Sequence, residues 1–147
     1  MIYHIFFDSN KDIAWSCTAP VTDAIKTEQK STHNYDYLQY DCDNVPNGED
    51  WYINSDGDAV VEKTVFNPTF SASTASLDTV INVTGLPAGT QVFLDGTSAG
   101  TMSDTTLTLT AQEAGSFEVE FKKDKYKDYY KLITISNSLV MYFLRFL

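Results

Sequence analysis

Hydrophobic and polar positions alternate with a period of two along most of this chain, and that spacing predicts strands joined by tight turns. "IYHIFFD" (Ile2 to Asp8) runs into Asp8-Ser9-Asn10-Lys11-Asp12, whose Asp and Asn residues favour turns, and the chain returns as "IAWSC". This reads as a β-hairpin. "PVTDAIKTEQK" (Pro20 to Lys30) is the exception. Pro20 suits a first helical turn, and Val21, Ala24, Ile25 and Gln29 fall near helical spacing, so a short helix is expected. "YDYLQY" (Tyr35 to Tyr40) alternates again, "DCDNVPNGED" is a loop, and "DWYINSDGDAVVEK" is a second hairpin around Asp56-Gly57.

Residues 67–78 are rich in Ser, Thr and Ala and open on Asn67-Pro68, which reads as a linker lying extended. Beyond them strands are expected near 79–85, 90–95, 105–111, 115–123 and 129–135, closed by Pro87-Ala88-Gly89, Asp95-Gly96, Gly100 and Gly115. In "SFEVEFKK" Phe117, Val119 and Phe121 share one face, and Glu118, Glu120 and Lys122 share the other, the mark of a half-buried antiparallel strand. The expected fold is mainly β. A small N-terminal α+β hairpin module (1–66) and a linker (67–78) precede an immunoglobulin-like antiparallel β-sandwich (79–136) and a hydrophobic C-terminal tail (137–147).

The tail sharpens this picture. Of residues 139–147, "LVMYFLRFL", eight are apolar and only Arg145 is charged. Left exposed they would form a costly patch, and their burial is worth on the order of 10 kcal/mol before ordering. They are expected either to cover the N-terminal module or to insert into another subunit, with Tyr142, Phe143, Leu144 and Phe146 as partner-interface residues. The uninterrupted apolar stretch falls short of the roughly 20 residues that span a bilayer.

Charge narrows the partners. The chain carries 20 acidic and 10 basic residues, a formal net charge of −10, with 12 of the acids before residue 67. Phosphate backbones and anionic membrane surfaces repel such a chain, so neither nucleic acid binding nor membrane insertion is expected. "IYHIFFD" has no basic region ahead of an apolar run, so the expectation is a chain made and assembled in a cytoplasm. In that setting Cys17 and Cys42 read as free thiols, and the "NVTG" sequon at Asn82 carries no weight.

Candidate chemistry is sparse. If Gly57 takes the sixth position of a calcium loop, Tyr52 and Lys63 stand where the first and twelfth ligands require carboxylates, so "NSDGD" is a turn. Asp41, Asp43, Glu49 and Asp50 lie in a loop expected to be solvated. His4, Cys17, His33 and Cys42 lack metal-ligand spacing, and Ser16-Cys17 lacks the glycines of a nucleophile elbow. No catalytic residue, metal ligand or cofactor is expected. "KKDKYKDYYK" (Lys122 to Lys131) reads first as a hydrated hairpin guarding an edge. The alternative is a carbohydrate or host-surface contact, with Tyr126, Tyr129 and Tyr130 stacking on sugar faces.

Two resemblances follow from the turn motifs. "GLPAGTQVFLDGTSAGTM…GSFEVEFKKDKYKDYYKLITI" is similar to PEGA-type, immunoglobulin-like modules, with Gly85, Asp95, Gly96, Gly100, Gly115 and Tyr126 in the matching places and Thr101-Met102 where Thr-Pro is usual. In order, "FFDSNKDIAWSC", "APVTDAIKTEQ", "WYINSDGDAVVEK" and "GLPAGTQVFLDG" also resemble a class of small proteins encoded among the tail and virion genes of tailed bacteriophages, with Thr64 where that class has proline. This resemblance implies a non-enzymatic, homo-oligomeric virion protein among other virion proteins. Its place would be a tail fibre, hub or adaptor, with capsid decoration or a glycan-binding module as alternatives.

Overall fold

The computed structural model describes residues 1–137. The chain forms two compact units, one comprising Met1–Thr64 with Lys125–Lys127, the other Val65–Asp124 with the chain from Asp128 onward. The class is mainly β, as the alternation predicts.

In unit 1, β1 (Ile2–Phe7) and β2 (Ile13–Cys17) form the expected hairpin, and β3 (Asp36–Asp41) pairs along the other side of β1, giving a three-stranded antiparallel sheet with β1 at its centre. The centre strand is covered on both faces. Tyr3, Ile5 and Phe7 join Ile13 and Ile53 in the core. Phe6 on the opposite face is stacked 4.3 Å from Trp15. The helix α1 spans Asp23–His33, three residues later than Pro20 to Lys30, because Thr22 rather than Pro20 marks its start and Asn34 in the left-handed region ends it. Its apolar stripe is not what packs, since α1 has no buried residue. Lys26 lies over the Tyr37 ring and Gln29 accepts from the Trp15 indole. The second hairpin, β4 (Trp51–Ile53) and β5 (Val60–Glu62), turns at Asp56-Gly57 as expected, with Gly57 at φ +83°.

Unit 2 has two sheets. Residues 67–78 are not a linker, since they hold β6 (Thr69–Phe70) and β7 (Thr74–Ser76). Strands β8 (Val80–Thr84), β9 (Gln91–Leu94), β11 (Thr106–Thr110), β12 (Gly115–Lys122) and β13 (Tyr129–Ser136) match the expected five, and β10 (Thr97–Thr101) is additional. The larger sheet runs β10-β9-β12-β13-β7 and the smaller β11-β8-β6. Phe70 on the small sheet stacks on Phe121 and Tyr129 of the large one, and Ile81, Val83, Val92, Val119, Phe121, Ile133 and Ile135 are buried, the two-layer logic of a sandwich. The pairing departs from the all-antiparallel expectation at one edge, where β7 runs parallel to β13. Asp95 (φ +48°) and Gly96 (φ +74°) close the β9–β10 hairpin as a two-residue turn, both φ values having the sign that such turns require. The C-terminal tail, with Tyr142, Phe143, Leu144 and Phe146, lies outside the described residues.

Candidate functional site

The sequence-derived candidates scatter when placed. His4 Nδ1 lies 2.6 Å from the Tyr37 hydroxyl, and the His33 ring stacks on Tyr35. Cys17 and Cys42 are free thiols turned to the backbone carbonyls of Ala19 and Asn44, and burial pushes the Cys42 thiol upward. Asn54, in the "NSDGD" turn, uses its side-chain oxygen to accept from Gly57, Asp58 and Ala59 N–H at 3.0–3.1 Å, closing the hairpin. Asp50 sits below the usual carboxylate range because Asn47 and Lys127 donate to it. Among the described residues no group of three or more His, Cys, Asp or Glu could hold a metal, and no helix is long and apolar enough to cross a membrane.

The lysine-rich hairpin spends its charge internally. Lys122 pairs with Glu120 at 2.8 Å and Asp128 at 3.4 Å. Lys127 pairs with Glu62 at 2.8 Å and Asp50 at 3.1 Å, both carboxylates holding it above the ordinary lysine value. Lys123 donates to the Ala88 carbonyl. Tyr129 and Tyr130 do not share a face. Tyr126 belongs to unit 1, and Tyr129 packs its ring on Phe121 at 5.7 Å. Tyr130, next along β13, stands on the opposite face, 53% exposed, its hydroxyl on Glu120.

Glu120 is a residue that sequence reasoning misses. It belongs to the polar face of β12 yet is only 8% exposed, set between its cross-strand neighbours Phe93 and Tyr130. Burial pushes its carboxyl up. The hydrogen bonds from Lys122 and Tyr130 outweigh that and bring it below the usual value.

A concave feature lies within unit 2. A cavity of about 800 Å3 opens between the sheets, with Leu107 and Leu109 on one wall and Phe117, Ile133 and Ile135 on the other. The alternating "TLTLT" places both leucines inward, where Leu107 pairs with Val83 and Leu109 with Ile81. Ile81 and Val83 are buried, whereas Leu107, Leu109 and Phe117, which line the groove, are only half-buried. Among the described residues strand β11 also ends its sheet, so one row of its N–H and C=O groups has no strand partner there. It carries no charge, proline or bulge to guard that edge, whereas the edge strand β10 is bulged between Ser98 and Gly100. The charged groove-lining side chains are Asp104 before β11 and Glu113 after it, both acidic. The period of two in "TLTLT" is what a strand with one inward face shows, but no run of residues reports how far the facing residues bury Leu107 and Leu109.

Residues 79–144 match the family model of the PEGA domain. The match covers unit 2 from just before β8 and continues past the described residues. No curated protein matches the chain.

Proposed function

We propose that this chain is a non-enzymatic structural component whose sandwich accepts an extended apolar segment from a neighbouring molecule. The observation that carries this reading is the groove beside β11, where half-buried leucines and a strand edge unpaired among the described residues occur together. An added strand would pair with the β11 edge through its backbone and cover Leu107 and Leu109 with its side chains. This is the β-augmentation mode of recognition, in which backbone bonds give affinity and alternate side chains give specificity. The PEGA match is in keeping with a binding or spacer module.

The order of turn motifs through both units supports a virion as the larger assembly, and within it a tail-associated position. The protein would then be an oligomeric part of a fibre, hub or adaptor, localised to the particle. Its mechanism is geometric, since strand addition fixes the angle between neighbours. The test is a groove variant, Leu107→Asp with Leu109→Asp, compared with wild type in particles by mass spectrometry and in solution by light scattering. Loss of both incorporation and self-association with unchanged far-UV circular dichroism is expected. Normal incorporation of a folded variant contradicts the reading.

A further inference from the structure

We propose that residues Lys125–Lys127 are a strap without which unit 1 is not stably folded, so that this unit is completed only after unit 2 has formed its β12–β13 hairpin. These three residues belong to unit 1, although the chain on either side of them belongs to unit 2.

The strap reaches three parts of unit 1. Thr64, just beyond β5, donates its N–H to the Lys125 carbonyl at 2.9 Å, and its own carbonyl accepts from Lys127 N–H at 2.9 Å, forming a parallel bridge between Thr64 and Tyr126. Lys127 extends its ammonium to Glu62 at the end of β5, at 2.8 Å, and to Asp50 just ahead of β4, at 3.1 Å. Lys125, held at φ +62°, sets its ammonium over the Tyr52 ring of β4, 5.3 Å from the centroid. What the strap holds is the β4–β5 ribbon, two strands of three residues each, and a two-stranded ribbon alone is marginal in water. The ribbon supplies Ile53 to the core of Tyr3, Ile5, Phe7 and Ile13, so fixing it fixes one wall of that core.

Chain order turns this into a dependence on unit 2. Lys127 and Glu62 are 65 residues apart, and most of the chain between them belongs to unit 2. Closing so long a loop of unfolded chain, and ordering three residues at its end, costs more than two backbone bonds and partly exposed ion pairs contribute. Once β12 and β13 have paired as far as Phe121 and Tyr129, residues 125–127 are already gathered at a hairpin tip. The entropy of closure is then offset by the burial of Val119, Phe121 and Ile133 in unit 2, and the strap has only its own three residues to order. Only a chain whose unit 2 has folded presents a complete unit 1, although residues 1–64 are synthesised before it.

Both tryptophans, Trp15 and Trp51, lie in unit 1, so their fluorescence follows that unit in the full-length chain. Ile81→Ala empties a site in the core of unit 2. It should lower the denaturant midpoint read by tryptophan fluorescence by as much as the midpoint read from the amide NMR signals of β12. Lys127→Pro removes both ion pairs and the N–H that bonds Thr64. It should lower the fluorescence midpoint, leave that of β12 unchanged, and make fluorescence insensitive to an added Ile81→Ala. A fluorescence midpoint that Ile81→Ala alone does not move overturns the strap. So does one that Lys127→Pro leaves at the wild-type value, or one that still follows Ile81→Ala in its presence. If the proline unfolds the hairpin as well, hydrogen exchange in the wild-type chain decides. The Thr64 and Lys127 N–H groups should then exchange as slowly as Ile53 N–H, because the strap opens only when unit 1 does. Much faster exchange at Thr64 and Lys127, with Ile53 still protected, shows a unit 1 that stands without its strap and overturns the proposal.

Discussion

Leu109 and Ile81 are direct cross-strand partners on β11 and β8, yet Ile81 is 2% exposed while Leu109 is half-buried at the groove. The asymmetry separates a residue enclosed between the sheets from one half-exposed at the groove. Ile81→Ala is expected to destabilise unit 2 by about 2–5 kcal/mol at any protein concentration, the usual cost of emptying a closed site. Leu109→Ala is expected to cost about 1 kcal/mol at low concentration and more where the protein self-associates, because only then does the leucine lose partners on both sides. Denaturant melts at two concentrations check both values, and equal behaviour of the two variants would mean that the groove is already closed.

The Glu120–Tyr130 pair makes a claim about acid. Glu120 titrates below the usual carboxylate range through donors that include the Tyr130 hydroxyl, so its contribution to stability is present above the unfolded value near 4.5 and is lost as pH falls through the lower folded value. Tyr130→Phe removes one donor and leaves burial in place, so the Glu120 carboxyl should move up toward its unfolded value, and its contribution to stability should become smaller and be fully lost at a higher pH. Carboxyl carbon NMR titration reads this directly. An unchanged Glu120 titration in Tyr130→Phe would show that Lys122 alone sets it. Lys122 carries the opposite sign. Its ammonium is held above the ordinary lysine value chiefly by Glu120, so that contribution is present below about 10.5 and is lost as pH rises through the raised value.

Asn54 closes the β4–β5 turn with three backbone N–H groups on one oxygen. Asn54→Ala is expected to destabilise unit 1 by about 1–2 kcal/mol, because the freed donors lie at the surface where water recovers part of the loss. With that oxygen already occupied, calcium should leave the thermal midpoint of wild type unchanged. Calorimetry with and without calcium tests this, and a rise in midpoint that Asn54→Ala abolishes would restore a cation site here.

Gly48 packs against backbone and not against a movable side chain. A Cβ there would lie 2.5 Å from the Ile13 carbonyl oxygen, and the Gly48 carbonyl also accepts from the Lys63 ammonium at 2.6 Å. Gly48→Ala is expected to shift the loop and cost about 1–3 kcal/mol, whereas an exposed loop alanine would be near neutral. A chemical denaturation midpoint equal to wild type would count against the tight approach.

The hairpins were legible in the sequence because their signals are local. Asp8 to Asp12, Asp56-Gly57 and Asp95-Gly96 each specify a turn, and the inward residues of β12 fall where their alternation puts them. Strand β10, "TSAGT", was not legible, since small exposed residues carry no alternating pattern, and β6 and β7 hide in a Ser- and Thr-rich stretch that reads as linker. Strand β10 exists because the Asp95-Gly96 turn folds it onto β9, and β6 and β7 because β8 and β13, further along the chain, supply their hydrogen bonds. Helix α1 reads as amphipathic, but its contacts to the sheet are the Lys26 ammonium over the Tyr37 ring and the Gln29 amide oxygen on the Trp15 indole. The burial of Glu120 and the openness beside Leu109 are likewise consequences of what faces them across a sheet, which no run of residues encodes by itself.

The measurement closest to the central claim is the mass of the purified full-length chain in solution, by light scattering, beside its Leu107→Asp, Leu109→Asp variant. Strand addition at the β11 groove requires the full-length chain to form a defined oligomer or filament and the folded variant to be a monomer. A full-length chain and a folded variant of the same mass would contradict it.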